Sequence, residues 1–289
     1  MARRKPPTTH GLAVVDKPAG VTSHDVVGML RRRFDERQVG HAGTLDPDAT
    51  GVLLVGVGKA TRLLRFLTAL GKTYTADIVL GSSTSTLDAS GVVTGTFDMA
   101  TVTVEMARTV ASQQLTGAIM QIPPMVSAVH VDGRRLHELA REGIEVEREP
   151  RPVTVYSFEI FGTLPDDPLV LRARVHCSAG TYIRTLADDL GRLLGGGAHL
   201  RNLRRTAVGS FTETEARAPD ECTLIAPVDA LRDYARATVD DATAEMIRHG
   251  RVLDRFDGEG PWAVVDSGGS LLAVYESFGE VAKPAVVIA

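Results

Sequence analysis

Apolar residues along this chain keep two spacings, one suited to strands and one to helices. Leu12, Ala13, Val14 and Val15 form a short continuous run stopped by Pro18 and Gly20, which predicts a strand over 11–18. Val26, Val27, Leu30 and Phe34 then recur at helical spacing, with Thr22 or Ser23 as cap and Arg31, Arg32 and Arg33 at the end, where cations suit the helix dipole. The run 51–58 is apolar between glycines and reads as a fully buried strand, followed by a short helix over 59–67. Over 72–81 the pattern alternates, placing Tyr74, Ala76, Ile78 and Leu80 on one face.

Alternation returns at 168–177, with Leu169, Leu171, Ala173, Val175 and Cys177 facing one way and Arg172, Arg174 and His176 the other. This predicts a half-buried sheet that also takes in a strand over 153–161. Further helices are expected over 103–115, 134–142, 182–194 and 241–249, and further strands over 207–211, 262–266, 270–276 and 284–288. Residues 82–100 read as a Ser/Thr/Gly-rich loop with one short strand, and 121–127 as a segment held extended by its prolines. The texture changes near residue 220. The expected division is a flexible basic tail (1–10), a large domain (11–220) and a small C-terminal domain (221–289).

Composition narrows the function classes. The 289 residues are 44% hydrophobic and 24% charged, as in ordinary globular proteins. No apolar stretch approaches the roughly 18 residues of a membrane span, and the N-terminal sequence lacks the apolar segment of a secretory signal, so a cytoplasmic location is expected. Cys177 and Cys222 stand in unrelated surroundings, and the eight histidines contain no HxxxH or HxH pair, so neither a disulfide framework nor a metal site is expected. The net charge of −4 argues mildly against nucleic acid, yet basic residues cluster at 31–33, at 134–151 and at 201–205. Each cluster fits a phosphate-binding patch or a solvated face.

The most informative chemistry lies between Val39 and Lys59. Gly40, Gly43 and Pro47 surround Asp46, so this backbone is a shaped loop that feeds a core strand. An aspartate held this way is either a turn residue or a reacting carboxylate. The stretch 56–61 superficially resembles a phosphate loop, but Leu53 and Ala60 stand where that motif needs Gly and Ser or Thr. No GxSxG elbow and no paired carboxylate with hydrolase spacing is present, so a hydrolase is the weaker reading and an RNA-binding protein with a structural Asp46 loop the main alternative.

Three separated segments, GLAVVDKPAGVTSHDVV (11–27), GHAGTLDPDATGVLLVGVGKATRLL (40–64) and CSAGTYIRTLADDLG (177–191), resemble the three motifs of the TruB-type tRNA pseudouridine synthases, which act on uridine 55 of the T-loop. Segments 72–81, 121–143 and 195–211 resemble the family in the same order; Val126 and His137 depart from it, standing where Tyr is usual. The resemblance implies an α+β fold: a pseudouridine synthase domain with a mixed, mainly antiparallel central sheet flanked by helices, and a small C-terminal PUA-like RNA-binding domain. It implies an isomerase without cofactor or metal whose partner is the T-arm stem-loop of tRNA; no obligatory protein partner is evident, and a monomer is expected.

The resemblance also implies roles. Asp46 matches the catalytic aspartate, Tyr74 the tyrosine that stacks on the target base, and Arg184 the arginine that pairs with the aspartate. Tyr182 and Leu203 match further pocket residues, His41 the histidine that stabilises the flipped-out state, and Lys17 the lysine of the first motif. Pseudouridine formation breaks the N1–C1′ bond of uridine and rejoins the base through C5. An ionised aspartate can add to C1′, add to C6 of the base, or remove the C2′ proton, and all three remain open.

Overall fold

The computed structural model describes residues 7–127, 130–131, 134–135, 139, 142–144 and 146–288. The chain divides into two compact units, Met1–Leu70 with Ala207–Ala289, and Gly71–Thr206. In the first unit, the opening apolar run forms strand β1 (Gly11–Lys17), which Pro18 ends. Helix α1 (Ser23–Arg33) starts with a capping box. Asp25 N donates to the Thr22 hydroxyl at 3.1 Å, and Thr22 N donates to the Asp25 carboxylate at 2.9 Å, an arrangement that stabilises a helix start by about 1 kcal/mol. Strands β2 (Val39–Ala42) and β3 (Thr50–Val57) follow, then a 3-10 helix (Gly58–Leu63) that runs into helix α2 (Leu64–Ala69).

β3 pairs antiparallel with both β1 and β2. Its continuous apolar run has a physical reason: both of its faces are covered. Val52 and Leu54, with Leu12 and Val14 of β1, pack on Phe66, Leu67, Phe211 and Val265. Leu53 and Val55, with Ala13 and Val15, pack on Val26, Val27 and Leu30 of α1. Truncating one such leucine to alanine costs about 2–5 kcal/mol, so the strand that leaves the Asp46 loop is among the most firmly fixed parts of this unit.

The second unit contains β4 (Lys72–Leu80), β5 (Ser82–Thr84), β6 (Val93–Thr96), α3 (Val104–Gln114), β7 (Gly117–Gln121), β8 (His130–Val131), β9 (Arg134–Arg135), β10 (Arg151–Leu164), β11 (Asp167–Cys177), α4 (Ile183–Leu193) and most of β12 (Ala198–Val208). Its main sheet has the order β12-β4-β11-β10-β7. The alternation over 72–80 is borne out residue by residue, as Tyr74, Ala76, Ile78 and Leu80 are buried and those between them half-buried. β4 pairs with β11 and β11 with β10, both antiparallel, and α3 packs against β10, where Arg108 Nε donates to the Ile160 carbonyl at 2.8 Å.

The remainder of the first unit holds β13 (Phe211–Thr212), β14 (Ala235–Thr238), helix α5 (Asp241–Arg248), β15 (Leu253–Asp254), β16 (Trp262–Val265), β17 (Leu271–Phe278) and β18 (Val281–Val287). β14 to β18 form a separate five-stranded sheet in the order β14-β16-β17-β18-β15, in which β14 and β16 are parallel and the other pairs antiparallel. Trp262, Tyr275 and Ile247 fill its own core. The α+β class expected from the resemblance holds.

Several elements differ from the sequence reading. Residues 39–42 are a strand rather than part of a loop; Gly40, of a residue type depleted in strands, hid it. Arg134–Arg135 pair with His130–Val131 as strands, in place of the start of a helix over 134–142. Much of the rest of that stretch, His137 included, lies outside the described residues. The strand expected over 207–211 is split: Ala207 and Val208 end the longer β12, a turn follows at Gly209 and Ser210, and Phe211 begins β13; the alternation of β12 breaks at Asn202, a residue with φ +53°. Two short strands, β5 and β6, stand where one was expected, and β14 and β15 had no strong pattern.

Candidate active site

Asp46 is half-buried on the loop between β2 and β3. Gly43 opens this loop at φ +79°, a left-handed conformation that side chains disfavour. Leu45 and Ala49 anchor it by burial, and Ala49 N donates to the Asp46 carbonyl at 3.1 Å, closing a turn whose second residue is Pro47.

Both chain neighbours of Asp46 are held by the segment that joins β1 to α1. Lys17, fully buried, donates from Nζ to the carbonyls of Pro47 at 2.9 Å, Pro18 at 2.9 Å and Val21 at 2.7 Å. Three carbonyls match the three hydrogens of an ammonium. Gly20 N donates to the same Pro47 carbonyl at 3.0 Å. On the other side, the buried Ser23 hydroxyl accepts from Leu45 N at 2.9 Å and donates to Leu45 O at 3.2 Å. His41 lies on β2 opposite Val55, half-buried. The first unit therefore brings Lys17 directly onto the loop of Asp46.

The second unit holds the other four predicted residues. Tyr74 lies on β4 opposite Val175 and is largely buried. Leu203 is half-buried on the adjacent β12, directly after Asn202, whose side-chain amide donates to Asp77 at 2.8 Å. Tyr182 is the N-cap residue of α4, and the buried Gln121 side chain grips its backbone: Tyr182 N donates to Gln121 Oε1 at 2.7 Å, and Gln121 Nε2 donates to Tyr182 O at 3.0 Å. Arg184, 4% exposed, donates from its two terminal nitrogens to the carbonyls of Thr86 and Val126, each at 2.9 Å, and forms an ion pair with Asp88 at 3.6 Å.

Asp88 is itself fixed. Its Oδ1 accepts from Thr86 Oγ1 at 2.6 Å, from Ser90 N at 3.1 Å and from Ser90 Oγ at 2.5 Å. Sequence reasoning placed Asp88 in a plain loop, offered Ser23 only as a possible helix cap and gave Gln121 no role in the site. The available signal for Asp88 was the Thr86-x-Asp88-x-Ser90 pattern, typical of an aspartate that bonds its own backbone turn.

Next to Tyr74 in this unit, Lys72 of β4 pairs in register with Cys177 of β11, and both are buried. Burial, and then the nearby Arg205 guanidinium, lower the Lys72 ammonium to about 8, while burial raises the Cys177 thiol to about 11. Among the basic clusters expected to meet phosphate, Arg205 is 1% exposed, Arg201 pairs with Asp77, Arg134 pairs with Glu142 and Arg148 donates to the Pro123 carbonyl. Much of their charge thus serves the protein's own structure. Among the described residues, no group of three or more His, Cys, Asp or Glu side chains could hold a metal ion, and no helix is long and apolar enough to cross a membrane.

Comparison with known proteins agrees across the chain. Residues 31–183 match the family model for the TruB family pseudouridylate synthase N-terminal domain, residues 184–243 that for the tRNA pseudouridylate synthase B C-terminal domain, and residues 234–289 that for the tRNA pseudouridine synthase II C-terminal region. The chain is 43% identical over 288 residues to the tRNA pseudouridine synthase B of Mycobacterium tuberculosis (strain ATCC 25618 / H37Rv), covering 97% of this chain and 96% of that protein. It is 46% identical over 300 residues to that of Rhodococcus jostii (strain RHA1), covering 99% and 97%. In fold it is similar to a chain of a solved Cbf5-Nop10-Gar1 complex, with a TM-score of 0.72 and 24% identity over 96% of this chain and 85% of that one.

Proposed function

This chain belongs to the TruB family of pseudouridylate synthases and is an isomerase that converts uridine to pseudouridine in tRNA; from that premise we propose that its target is uridine 55 of the T-loop, that Asp46 is the nucleophile or base, and that no cofactor takes part. The observation that carries the role of Asp46 is its presentation. Lys17 and Ser23 hold the residues on either side of it, while its own carboxylate stays on a half-buried loop. A turn aspartate serving only the fold has no need of such bracing from a second motif.

The target base is flipped out of the folded T-loop, at a cost of a few kcal/mol that protein contacts offset. Tyr74 stacks on it, contributing about 1–3 kcal/mol, and Tyr182 and Leu203 line the pocket. His41 stabilises the flipped-out state, Arg184 supplies positive charge for the reaction, and Lys17 is a positioning residue. The catalytic domain spans 11–220, and the C-terminal PUA-like domain, 221–289, contributes RNA contacts. The protein works as a cytoplasmic monomer on the T-arm stem-loop.

The test is release of tritium from C5-labelled uridine in a tRNA transcript, since C5 loses its hydrogen only when the base rejoins through that carbon. Release that disappears when uridine 55 alone is replaced supports the reading. Release that persists moves the target elsewhere.

A further inference from the structure

On the side of the β4-β11-β10-β7 sheet opposite Tyr74, Arg172, Arg174 and His176 are exposed and Thr73, Thr75 and Asp77 half-buried, and this face is built in an unusual way. Cross-strand partners share a face, so His176, Arg174 and Arg172 of β11 lie with Thr73, Thr75 and Asp77 of β4 on the side away from the buried Val175 and Tyr74. β10 carries irregularities between Val155 and Ser157 and again between Ile160 and Gly162. Each bulge contains one extra residue, and each extra residue is aromatic: Tyr156, 54% exposed, and Phe161, 52% exposed.

Bulges re-aim side chains, and here each ring meets a side chain of β11. Tyr156 lies against the His176 ring with centroids 4.7 Å apart, and the Arg174 guanidinium sits 5.5 Å from the centre of Phe161. Gly71 borders the first pair so closely that an added Cβ would lie 3.2 Å from His176 Nε2. Among the described residues, no carboxylate lies within 4.0 Å of Arg172 or Arg174 in an ion pair. Asp77, opposite Arg172, is already engaged by Asn202 and Arg201, and Glu159, opposite Arg174, is exposed. Two large exposed rings beside two exposed arginines that make no ion pair within 4.0 Å among the described residues, on a protein of net charge −4, make a surface complementary to a polyanion that also carries flat apolar faces.

We propose that this sheet face binds unpaired RNA, with bases stacking on Tyr156 and Phe161 and phosphates meeting Arg172 and Arg174. RNA is the occupant that uses both features at once. An acidic peptide would satisfy the guanidiniums and leave the rings wet, whereas a single strand presents a phosphate and a base per nucleotide. Because Tyr74 belongs to the opposite face of the same sheet, this surface is separate from the catalytic pocket and goes beyond the uridine isomerisation itself.

The experiment is fluorescence-anisotropy titration of the full-length protein with a labelled oligoadenylate, which contains no uridine to occupy the catalytic pocket. Binding is expected to weaken with salt, each single-strand phosphate contact contributing about −0.7 to the log–log slope. Arg172→Gln with Arg174→Gln should flatten that slope by about 1.4. Tyr156→Ser with Phe161→Ser should weaken binding at least about five-fold at any salt. Turnover of full-length tRNA should be unchanged in both variants, which also reports that they fold. The proposal is overturned if the wild type shows no oligoadenylate binding at low salt, if binding survives both double substitutions, or if a protein ligand rather than RNA proves to occupy the face. Loss of wild-type tRNA turnover would instead count against the assigned isomerase function.

Discussion

The ammonium of Lys17 and the carbonyl of Pro47 lie 2.9 Å apart, joining the end of the first strand to the residue that follows Asp46. With its further bonds to Pro18 and Val21, this buried cation links the first and second sequence motifs through main-chain carbonyls. Lys17→Met keeps the length of the side chain and removes its charge, leaving three buried acceptors without their donor. Stability should fall by about 3 kcal/mol or more, read as a lower melting temperature. In single-turnover assays the chemical step should slow much more than tRNA binding weakens, because what changes is the position of Asp46. A variant that loses stability yet reacts at the native rate would leave Lys17 a structural strut only.

Replacement of the carboxylate is the sharpest test of Asp46. Asp46→Asn preserves size and turn geometry but cannot act as nucleophile or base. Tritium release should drop by about 1,000-fold or more, with tRNA affinity in a filter-binding assay within a few-fold of wild type. Retained turnover would remove Asp46 from the reaction.

Asp88 offers a subtler case. Asp88→Asn keeps an acceptor for Thr86 and Ser90 and deletes only the charge facing Arg184, whose guanidinium still has the Thr86 and Val126 carbonyls. The expected result is a 10- to 100-fold loss in the rate of the chemical step, on the order seen when a reacting group is slightly misplaced, with unchanged thermal stability. Loss of stability with an intact rate would show that the pair serves the fold.

Lys72 predicts a pH signature. Its ammonium titrates at about 8 in the folded protein against 10.5 as the ordinary value, so between those limits the unfolded chain binds the extra proton. Stability from this site therefore rises as pH increases through 8 and levels off near 10.5, by at most about 3 kcal/mol. Denaturant melts of wild type and Lys72→Met should differ in their pH dependence over that window, with the variant lacking the rise. Cys177, pushed to about 11 by burial, should resist alkylation at pH 8 until the protein unfolds.

How far the sequence disclosed these features depended on the kind of force holding them. Strands β1 and β3 were readable as continuous apolar runs buried on both faces, and β4 and β11 from the alternation of buried with half-buried or exposed side chains. Helix α1 was readable from its cap and its four apolar positions. β2 and most of β12 were not, since Gly40 in one and the left-handed Asn202 in the other break the expected period while backbone pairing continues. Of the candidate site, motif residues such as Asp46 and Lys17 stood out, because glycines and prolines mark the loops that present them. Ser23, Asp88 and Gln121 did not. Their work is done by hydrogen bonds to backbone atoms 22 and 61 residues away, or across a two-residue turn, and such bonds leave no periodic trace.

The Gln121 amide has one more implication. Both of its hydrogen bonds at position 182 go to the peptide N–H and C=O, so it recognises the main chain there and is blind to the side chain. The start of α4 is therefore set independently of the ring that position 182 presents. Scaffold and payload are uncoupled at this point: the group offered to a ligand can be exchanged while the address at which it is displayed stays fixed.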